Sequence, residues 1–436
     1  MYFGLMIAIF VIGYAMIALE HPLKINKSAT AVLLAAVIWA VFALFGPGIK
    51  DGALIHHLGE TAEILFFLLG AMTIVEIVDK HDGFSIITDR ITTTSKRKLL
   101  WIISILTFFM SAVLDNLTTS IVMCALLRKL VGDKNTRWFF AGMVILAANA
   151  GGAWSPIGDV TTIMLWIKGN ITAGNIILET IIPSLVSLLV PVAIIGMTMK
   201  GKLERPEKTE SEETSTVTRK QSLIILIMGV ALLLFVPFFK TITHLPPYLG
   251  ILFGLGILWI TTEIMHKNNP SNYSRLNVTA IIQKVDVPSV LFFLGILMAV
   301  SCLNEAGHLG LLAGALNELG NVYVINVVIG ALSSIIDNVP LVAAAMGMYP
   351  VVPVELVTEA TKAFMVDGAF WEGLAYCAGT GGSLLIIGSA AGVAVMGMEK
   401  IDFIWYLKKI SLWALVGYLA GAGTFYLMSQ FIFHVA

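Results

Sequence analysis

Two Asp-Asn pairs set the terms on which this chain can fold. Asp115-Asn116 lies in FFMSAVLDNLTTSIVM and Asp337-Asn338 in VIGALSSIIDNVPLVAAAM, each in the middle of an apolar segment. A carboxylate at the centre of a bilayer costs at least about 2.5 kcal/mol, so acids at that depth face protein or water and mark functional sites. A straight span would hold both groups in lipid. A re-entrant hairpin instead encloses irregular backbone and its polar side chains in protein, the setting in which a membrane tolerates them. The pattern predicts two hairpins, over 98–131 and 320–350, with matching chemistry at their tips.

The rest of the chain supplies the membrane context. Of 436 residues, 58% are hydrophobic and 13% charged, against about 25% charged in soluble domains. Apolar runs near the length of a bilayer crossing recur from end to end, which predicts an all-α polytopic membrane protein with the lipid bilayer as its solvent. A net charge of −1 offers no footprint for nucleic acid. Cys124, Cys302 and Cys377 sit in apolar runs without CxxC spacing or a histidine partner, so they read as buried thiols. The N-terminal MYFGLMIAIFVIGYAMIALE has no basic leading region and reads as a retained first span.

Spans are predicted at 2–19, 29–46, 60–79, 138–167, 173–199, 221–240, 247–265, 287–303, 370–397 and 404–433. With the N-terminus outside and both hairpins returning to their starting side, the 27 Lys and Arg fall inside except Lys50, Lys168, Lys240 and Lys362. That is the bias expected of inside loops. It places both termini outside and the polar stretch GKLERPEKTESEETSTVTRK (201–220) in the cytoplasm as a linker.

The linker divides the chain into halves, 1–200 and 221–436, that lie side by side. EILFFLLGAM (63–72) matches VLFFLGILMA (290–299), AVLDNLTTSIVM (112–123) matches SIIDNVPLVAAA (334–345), and ANAGGAWSPIGD (148–159) matches AGTGGSLLIIGS (378–389). Each half holds five crossings, one of them a broken helix (138–167 or 370–397), plus one re-entrant hairpin. An odd number of crossings makes the halves inverted-topology repeats, a transporter architecture. Amphipathic pieces at 82–95 and 305–319 are expected along the interface.

The four breaks carry the chemistry. Asp and Asn cap helices well, but a neutral Ser or Asn caps without burying an acid. Thr118 and Thr119 follow the first Asp-Asn pair; Ser333 precedes the second, and Pro340, suited to a helix start, follows it. The first broken helix presents Asn149, Gly151, Gly152, Ser155, Pro156, Gly158 and Asp159, then Thr161 and Thr162; the second presents Thr380, Gly381, Gly382, Ser383, Gly388 and Ser389. Close packing of small residues accounts for glycines alone, though not for Asp159 and its threonines beside them. A hard cation wants several oxygen ligands and carboxylate charge to offset its desolvation. Asp115, Asp159 and Asp337 supply that charge; Asn116, Asn149, Asn338 and the hydroxyls of Thr118, Thr119, Ser155, Thr161, Thr162, Ser333, Thr380, Ser383 and Ser389 are neutral candidates. Crowded carboxylates disfavour one another's charge, so protons compete with the cation and couple two opposite fluxes. Asp159 aligns with Ser389, Asn149 with Gly379 and Thr118 with Pro340, so the ion is expected off the pseudo-twofold axis.

Other groups carry less. Glu63, Glu76, Asp79, Glu179 and Glu263 lie near predicted span ends and read as solvated or structurally paired. Adjacent His56 and His57 do not share a helix face. No nucleophile–base pair, HExxH or phosphate loop suggests an enzyme, and no cofactor is implied.

DNLTTSIVM and GGAWSPIGDVTTIMLW, followed by SSIIDNVP and GTGGSLLIIGS, resemble the NhaD-type sodium:proton antiporters of the ion transporter superfamily, in that order and over nearly the whole chain. The resemblance implies extrusion of Na⁺, often also Li⁺, in exchange for H⁺ across a bacterial inner membrane or an organelle membrane. It further implies a scaffold part and a transport part in each protomer, elevator-type alternating access and a homodimer. Two alternatives stay open. Arsenite-pump membrane subunits carry similar DNLP-like motifs, which keeps arsenite or small-oxyanion efflux in view. The dicarboxylate symporter branch has Ser-Asn-Thr where this chain has Asp115-Asn116-Leu117, and no Lys or Arg lies at the hairpin tips to hold an anion.

Overall fold

A computed structural model describes residues 2–203, 217–267 and 276–433. Residues 204–216 of the expected linker lie outside the described residues. Helices α1 (Tyr2–Ala18), α2 (Lys27–Phe45), α3 (Ala53–Lys80), α4 (Lys96–Leu114), α5 (Asn116–Leu130), α6 (Lys134–Gly152), α7 (Val160–Ile167) and α8 (Ala173–Thr198) precede the linker. After it come α9 (Arg219–Thr243), α10 (Pro247–His266), α11 (Val287–Glu305), α12 (His308–Asn317), α13 (Val322–Leu332), α14 (Asn338–Met348), α15 (Ala369–Gly381), α16 (Ala390–Glu399) and α17 (Ser411–Met428). Among the described residues eight helices are long and apolar enough to cross a membrane, and no strand forms beyond isolated bridges. Large apolar side chains such as Leu44, Ile55, Phe238 and Ile242 stand exposed, as a lipid-facing surface requires.

Both Asp-Asn segments turn the chain back. A single residue, Asp115, separates α4 from α5, and its φ of 69° makes the sharp turn. At the far end of that hairpin, Lys96 Nζ donates to Thr136 at 3.1 Å and Arg137 to the Val131 carbonyl at 3.0 Å, so both arms end beside the start of α6. Residues 333–337 join α13 to α14, and Tyr349, just past α14, donates to Asn317, just before α13, at 3.0 Å.

End-to-end contacts sort the loops. Lys168 pairs with Glu60, Lys50 with Glu305, and Lys240 donates to the Trp166 carbonyl, all at one end of the bundle. At the other, Leu203 N bonds Thr94 O at 2.7 Å and His81 meets His266 at 3.0 Å. Three of the four lysines that the sequence places apart from the other basic residues therefore share one end.

Two packed groups make up the bundle. Helices α1, α2, α3, α9, α10 and α11 pack on one another, and the hairpins pack with the broken helices, α8 and α17. The α6–α7 helix breaks over 153–159, and α15–α16 over 382–389. Each hairpin grips its broken helix in the same way. Ser111 Oγ donates to the Ala148 carbonyl at 2.6 Å, and Ser333 Oγ to the Ala378 carbonyl at 2.8 Å. Gly151 lies on the Phe108 carbonyl and Gly381 on the Gly330 carbonyl, so close that a Cβ at either would collide with backbone. Gly158 packs on Gly152 and the Ser111 carbonyl, Gly388 on Gly382 and the Ser333 carbonyl. Every pair is related by 222 residues on the hairpin and 230 on the broken helix.

Some expectations differ in extent. Residues 82–95 are helical only over Ser85–Thr88, because Thr94 and Ser95 pair instead with Leu203 and Lys202. The last span is interrupted at Ile410, between Phe403–Lys409 and α17. The three cysteines are buried and unpaired.

Glu399, at the end of α16, accepts from Arg128 at 2.6 Å and Arg137 at 2.8 Å, with its side chain 1% exposed. It ties the first hairpin to the second broken helix. Glu399→Gln leaves two guanidinium groups short of a counter-charge and is expected to cost about 2 kcal/mol, below the roughly 3–5 kcal/mol of a fully buried pair because Arg128 is half-exposed; thermal unfolding in detergent reads the loss.

Candidate ion-binding site

Asp159 is the hub. It caps α7 from an extended backbone, with Oδ1 accepting from Thr161 N at 2.9 Å and Thr161 Oγ1 at 3.0 Å, while Thr162 Oγ1 donates to its carbonyl at 2.8 Å. The positive end of the helix dipole meets the carboxylate there. Its Oδ2 accepts from Asn116 Nδ2 at 2.7 Å, and Asn338 Nδ2 lies 3.4 Å away. Asn116 opens α5 and Asn338 opens α14. One carboxylate thus collects an amide from the tip of each hairpin.

The second broken helix joins through Asn149. Its Oδ1 accepts from Asn116 at 3.0 Å, and its Nδ2 donates to Ser383 at 2.9 Å and Ser389 at 3.0 Å. All of these groups are buried, Asp159 to 1% exposure, and none is a Lys, Arg or His. A connected polar network with one acid and no resident base supplies oxygens and negative charge, the requirements of a hard cation.

Asp115 and Asp337 do not share ligands with Asp159. Asp115 accepts from Thr118 N at 2.8 Å and Thr118 Oγ1 at 2.9 Å, and it borders a small apolar cavity made by Met72, Val75 and Leu233. Asp337 faces Lys27 Nζ at 3.7 Å, in a cavity of about 360 Å³ shared with Tyr14 and Glu20. The cause is local. A capping Asp folds back onto the first N–H groups of its own helix, Thr118 N or Val339 N, while the Asn after it points across to Asp159. Each acid directly precedes an asparagine that reaches Asp159, so the two flank the hub.

The remaining candidates divide. Thr161, Thr162, Asn149, Ser383 and Ser389 belong to the network. Ser155, Ser333 and Thr380 spend their hydroxyls on the carbonyls of Ala112, Ala378 and Tyr376, which fixes the breaks. The Thr119 hydroxyl is buried without a partner. Lys27 escaped sequence reasoning; with Lys24 it stood at the start of an apolar run, indistinguishable from any inside-loop lysine. Glu179 is buried, not solvated. A second cavity of about 380 Å³, lined by His57, Glu60, Lys168 and Tyr349, lies at the end opposite the linker; Asp159 lines neither cavity.

A buried acid shared by two hairpin tips and two broken membrane helices defines a multi-pass membrane transporter. A family model described as citrate transporter matches residues 14–366. The chain is 46% identical to sodium/proton antiporter 1 of Arabidopsis thaliana, covering 99% of this chain and 73% of that one. It is 31% identical to the Na⁺/H⁺ antiporter NhaD of Alkalimonas amylolytica, over 98% and 91%. The crystal structure of the YdaH transporter of Alcanivorax borkumensis superposes with a TM-score of 0.54 at 12% identity, over 93% of this chain and 97% of that one, which shows a shared fold. The chain belongs to the NhaD-type sodium:proton antiporters.

Proposed function

We propose that this protein exchanges Na⁺ for H⁺ at Asp159, with Li⁺ as a second substrate. The observation that carries the reading is the buried Asp159 carboxylate, reached by Asn116 from one hairpin and Asn338 from the other. As placed, both amides offer N–H to the acid. Half a turn about χ2 offers their oxygens instead. A cation entering beside Asp159 then meets Asp159 Oδ2, Asn116 Oδ1, Asn338 Oδ1 and the Thr161 hydroxyl, and a proton on Asp159 has to leave. Asp115 and Asp337 add negative potential without touching the ion. Proton and cation occupy the same acid in turn, and that exclusion couples the fluxes.

The named relatives support this assignment, since they are called sodium/proton antiporters. Citrate, which describes the matched family model, fits poorly: a tricarboxylate calls for Arg, Lys or a cluster of N–H donors, and the charged group at the hub is itself a carboxylate. Elevator movement of the hairpin-bearing group against the α1–α3 and α9–α11 group, in a homodimer of the bacterial inner membrane with both termini outside, completes the proposal. The two-group packing and the shared end of Lys50, Lys168 and Lys240 support it. The test is a cation series in everted vesicles. Na⁺ and Li⁺ are expected to dissipate an imposed pH gradient and K⁺ to leave it intact; arsenite resistance without any cation-driven proton movement overturns the assignment.

Lys27 belongs to the same picture. It starts α2, in one packed group, and pairs with Asp337 in the other. Lys27→Met leaves Asp337 without its counter-charge and is expected to slow exchange roughly tenfold, equivalent to about 1.4 kcal/mol. Lys27→Arg is expected to retain most of the rate.

A further inference from the structure

Two buried acids take no part in the exchange network. Glu372, in the first turns of α15, is fully buried, and Glu179 of α8 is 2% exposed. One amide serves both: Asn175 Nδ2 donates to Glu179 Oε1 at 2.9 Å and to Glu372 Oε1 at 3.2 Å. The other oxygen of Glu372, Oε2, is buried and receives no donor from the protein. Five residues before it, at the turn that leads into α15, stands a third acid, Asp367. Asp367 itself is half-buried, at a left-handed turn, and accepts from Thr172 N at 2.5 Å and from the exposed Thr172 hydroxyl at 2.9 Å.

Two buried glutamates on one amide, one of them with an oxygen that nothing donates to, call for a proton on Glu372. Without it, lone pairs and like charges face each other where water is excluded, and each charge loses its hydration. No base makes up the deficit. The helices packed on α15 are α8, which brings Glu179 and Asn175; α6, whose charged side chains, Lys134 and Arg137, stand in its first turn on Trp138 and Glu399; and α7, α13, α14 and α17, whose sequences carry no charged side chain. Lys168, just past α7, is paired with Glu60 at 2.5 Å. Lys362, on the turn before α15, makes no ion pair with either Glu372 or Asp367 among the described residues.

We propose that Glu372 holds a proton, separate from the exchange site, and that this proton loads and leaves through Asp367 at the end of the bundle opposite the linker. The route is short: Glu372 Oε2–H to an Asp367 oxygen, then to water at Thr172. While the proton is present, Asn175, Glu179 and Glu372 hold α8 to α15. When it leaves, like charges face one another across that contact. The same helix, α15, carries Thr380 and Gly381 into the break beside Ser383, so the proton on Glu372 tunes the exchange network through one continuous rod. The inference rests on the buried acids and stands apart from the identity of the transported cation.

Infrared spectroscopy of the purified, full-length protein in detergent tests it without any ion gradient. The wild type is expected to show the carbonyl band of a protonated carboxylic acid near neutral pH that Glu372→Gln lacks. Glutamine keeps the oxygen that accepts from Asn175, so the α8–α15 contact is kept. Equal carboxylic-acid absorption in wild type and Glu372→Gln overturns the proposal. Asp367→Asn tests the route in a protein that keeps Glu372. Hydrogen–deuterium exchange of the same band is expected to slow at least about tenfold, as loss of a positioned proton-transfer group does; an unchanged rate overturns the Asp367 route.

Discussion

Asp159→Asn is expected to abolish Na⁺-driven proton movement in everted vesicles while the protein reaches the membrane in wild-type amounts. The substitution is nearly isosteric. Its Oδ1 still accepts from Thr161 N, now at 2.9 Å, so the cap on α7 survives. What is lost is the negative charge on which Asn116 and Asn338 converge. A neutral amide can neither offset the desolvation of a monovalent cation nor exchange a proton with it near neutral pH. The new Nδ2 also faces two amide N–H groups. That donor conflict, worth about 1–3 kcal/mol if unrelieved, is removed by turning Asn116 and Asn338 over, the rotation proposed for the cation-bound state, with Asn149 turning in step so that its Nδ2 meets Asn116 and the Ser383 and Ser389 hydroxyls donate to its Oδ1. Exchange at a tenth of the wild-type rate or more in this variant would exclude Asp159 as the shared acid.

Gly381→Ala is the second large effect, and it acts on folding. The added Cβ would collide with the Gly330 carbonyl and approach Gly330 Cα at 3.0 Å. Both are backbone atoms in α13, so no side chain can rotate away. Overpacking in a well-filled core typically costs about 1–3 kcal/mol, and a clash with rigid backbone belongs at the upper end. Separation of α13 from α15 also strains the nearby Ser333–Ala378 bond, which positions Asn338. The variant is expected to be depleted from the membrane fraction and to lose its folded state at lower temperature in detergent. Gly314→Ala, where a Cβ meets nothing within 4 Å, is the control and is expected to behave as wild type.

The bilayer made much of this fold legible. Lipid demands spans of a fixed length and satisfied backbone, so the runs, the two polar interruptions and the Lys/Arg bias pointed to crossings, hairpins and breaks. Asp159 was visible for the same reason: GGAWSPIGD stops a helix where an apolar span should continue. Directions of side chains were not visible. Asp115 and Asp337 looked like partners of Asp159, yet each caps its own helix and turns toward a different neighbour, while the asparagines beside them reach the hub. Adjacent residues at a helix start diverge, and no sequence period records which of the two faces inward.

Pairs far apart in the chain were hidden as well. Lys27 meets Asp337 across the two packed groups, and Asn175 meets Glu372 across α8 and α15. Glu372, in AFWEGLAY, was an acid inside a predicted span and therefore a signal, but its partner Asn175 is set by the packing of α8. The interfacial piece at 82–95 shows the reverse error. Its amphipathic pattern suggested helix, and pairing with the chain leaving α8 took its backbone instead.

Proton release on Na⁺ binding tests the shared acid most directly. Purified protein in weakly buffered detergent is titrated with NaCl, with choline chloride as the ionic-strength control, and pH is followed with an indicator. A saturable acidification specific to Na⁺, present in the wild type and absent in Asp159→Asn, is the expected result. Equal acidification from Asp159→Asn, or saturable Na⁺ binding by the wild type with no proton released, contradicts the mechanism.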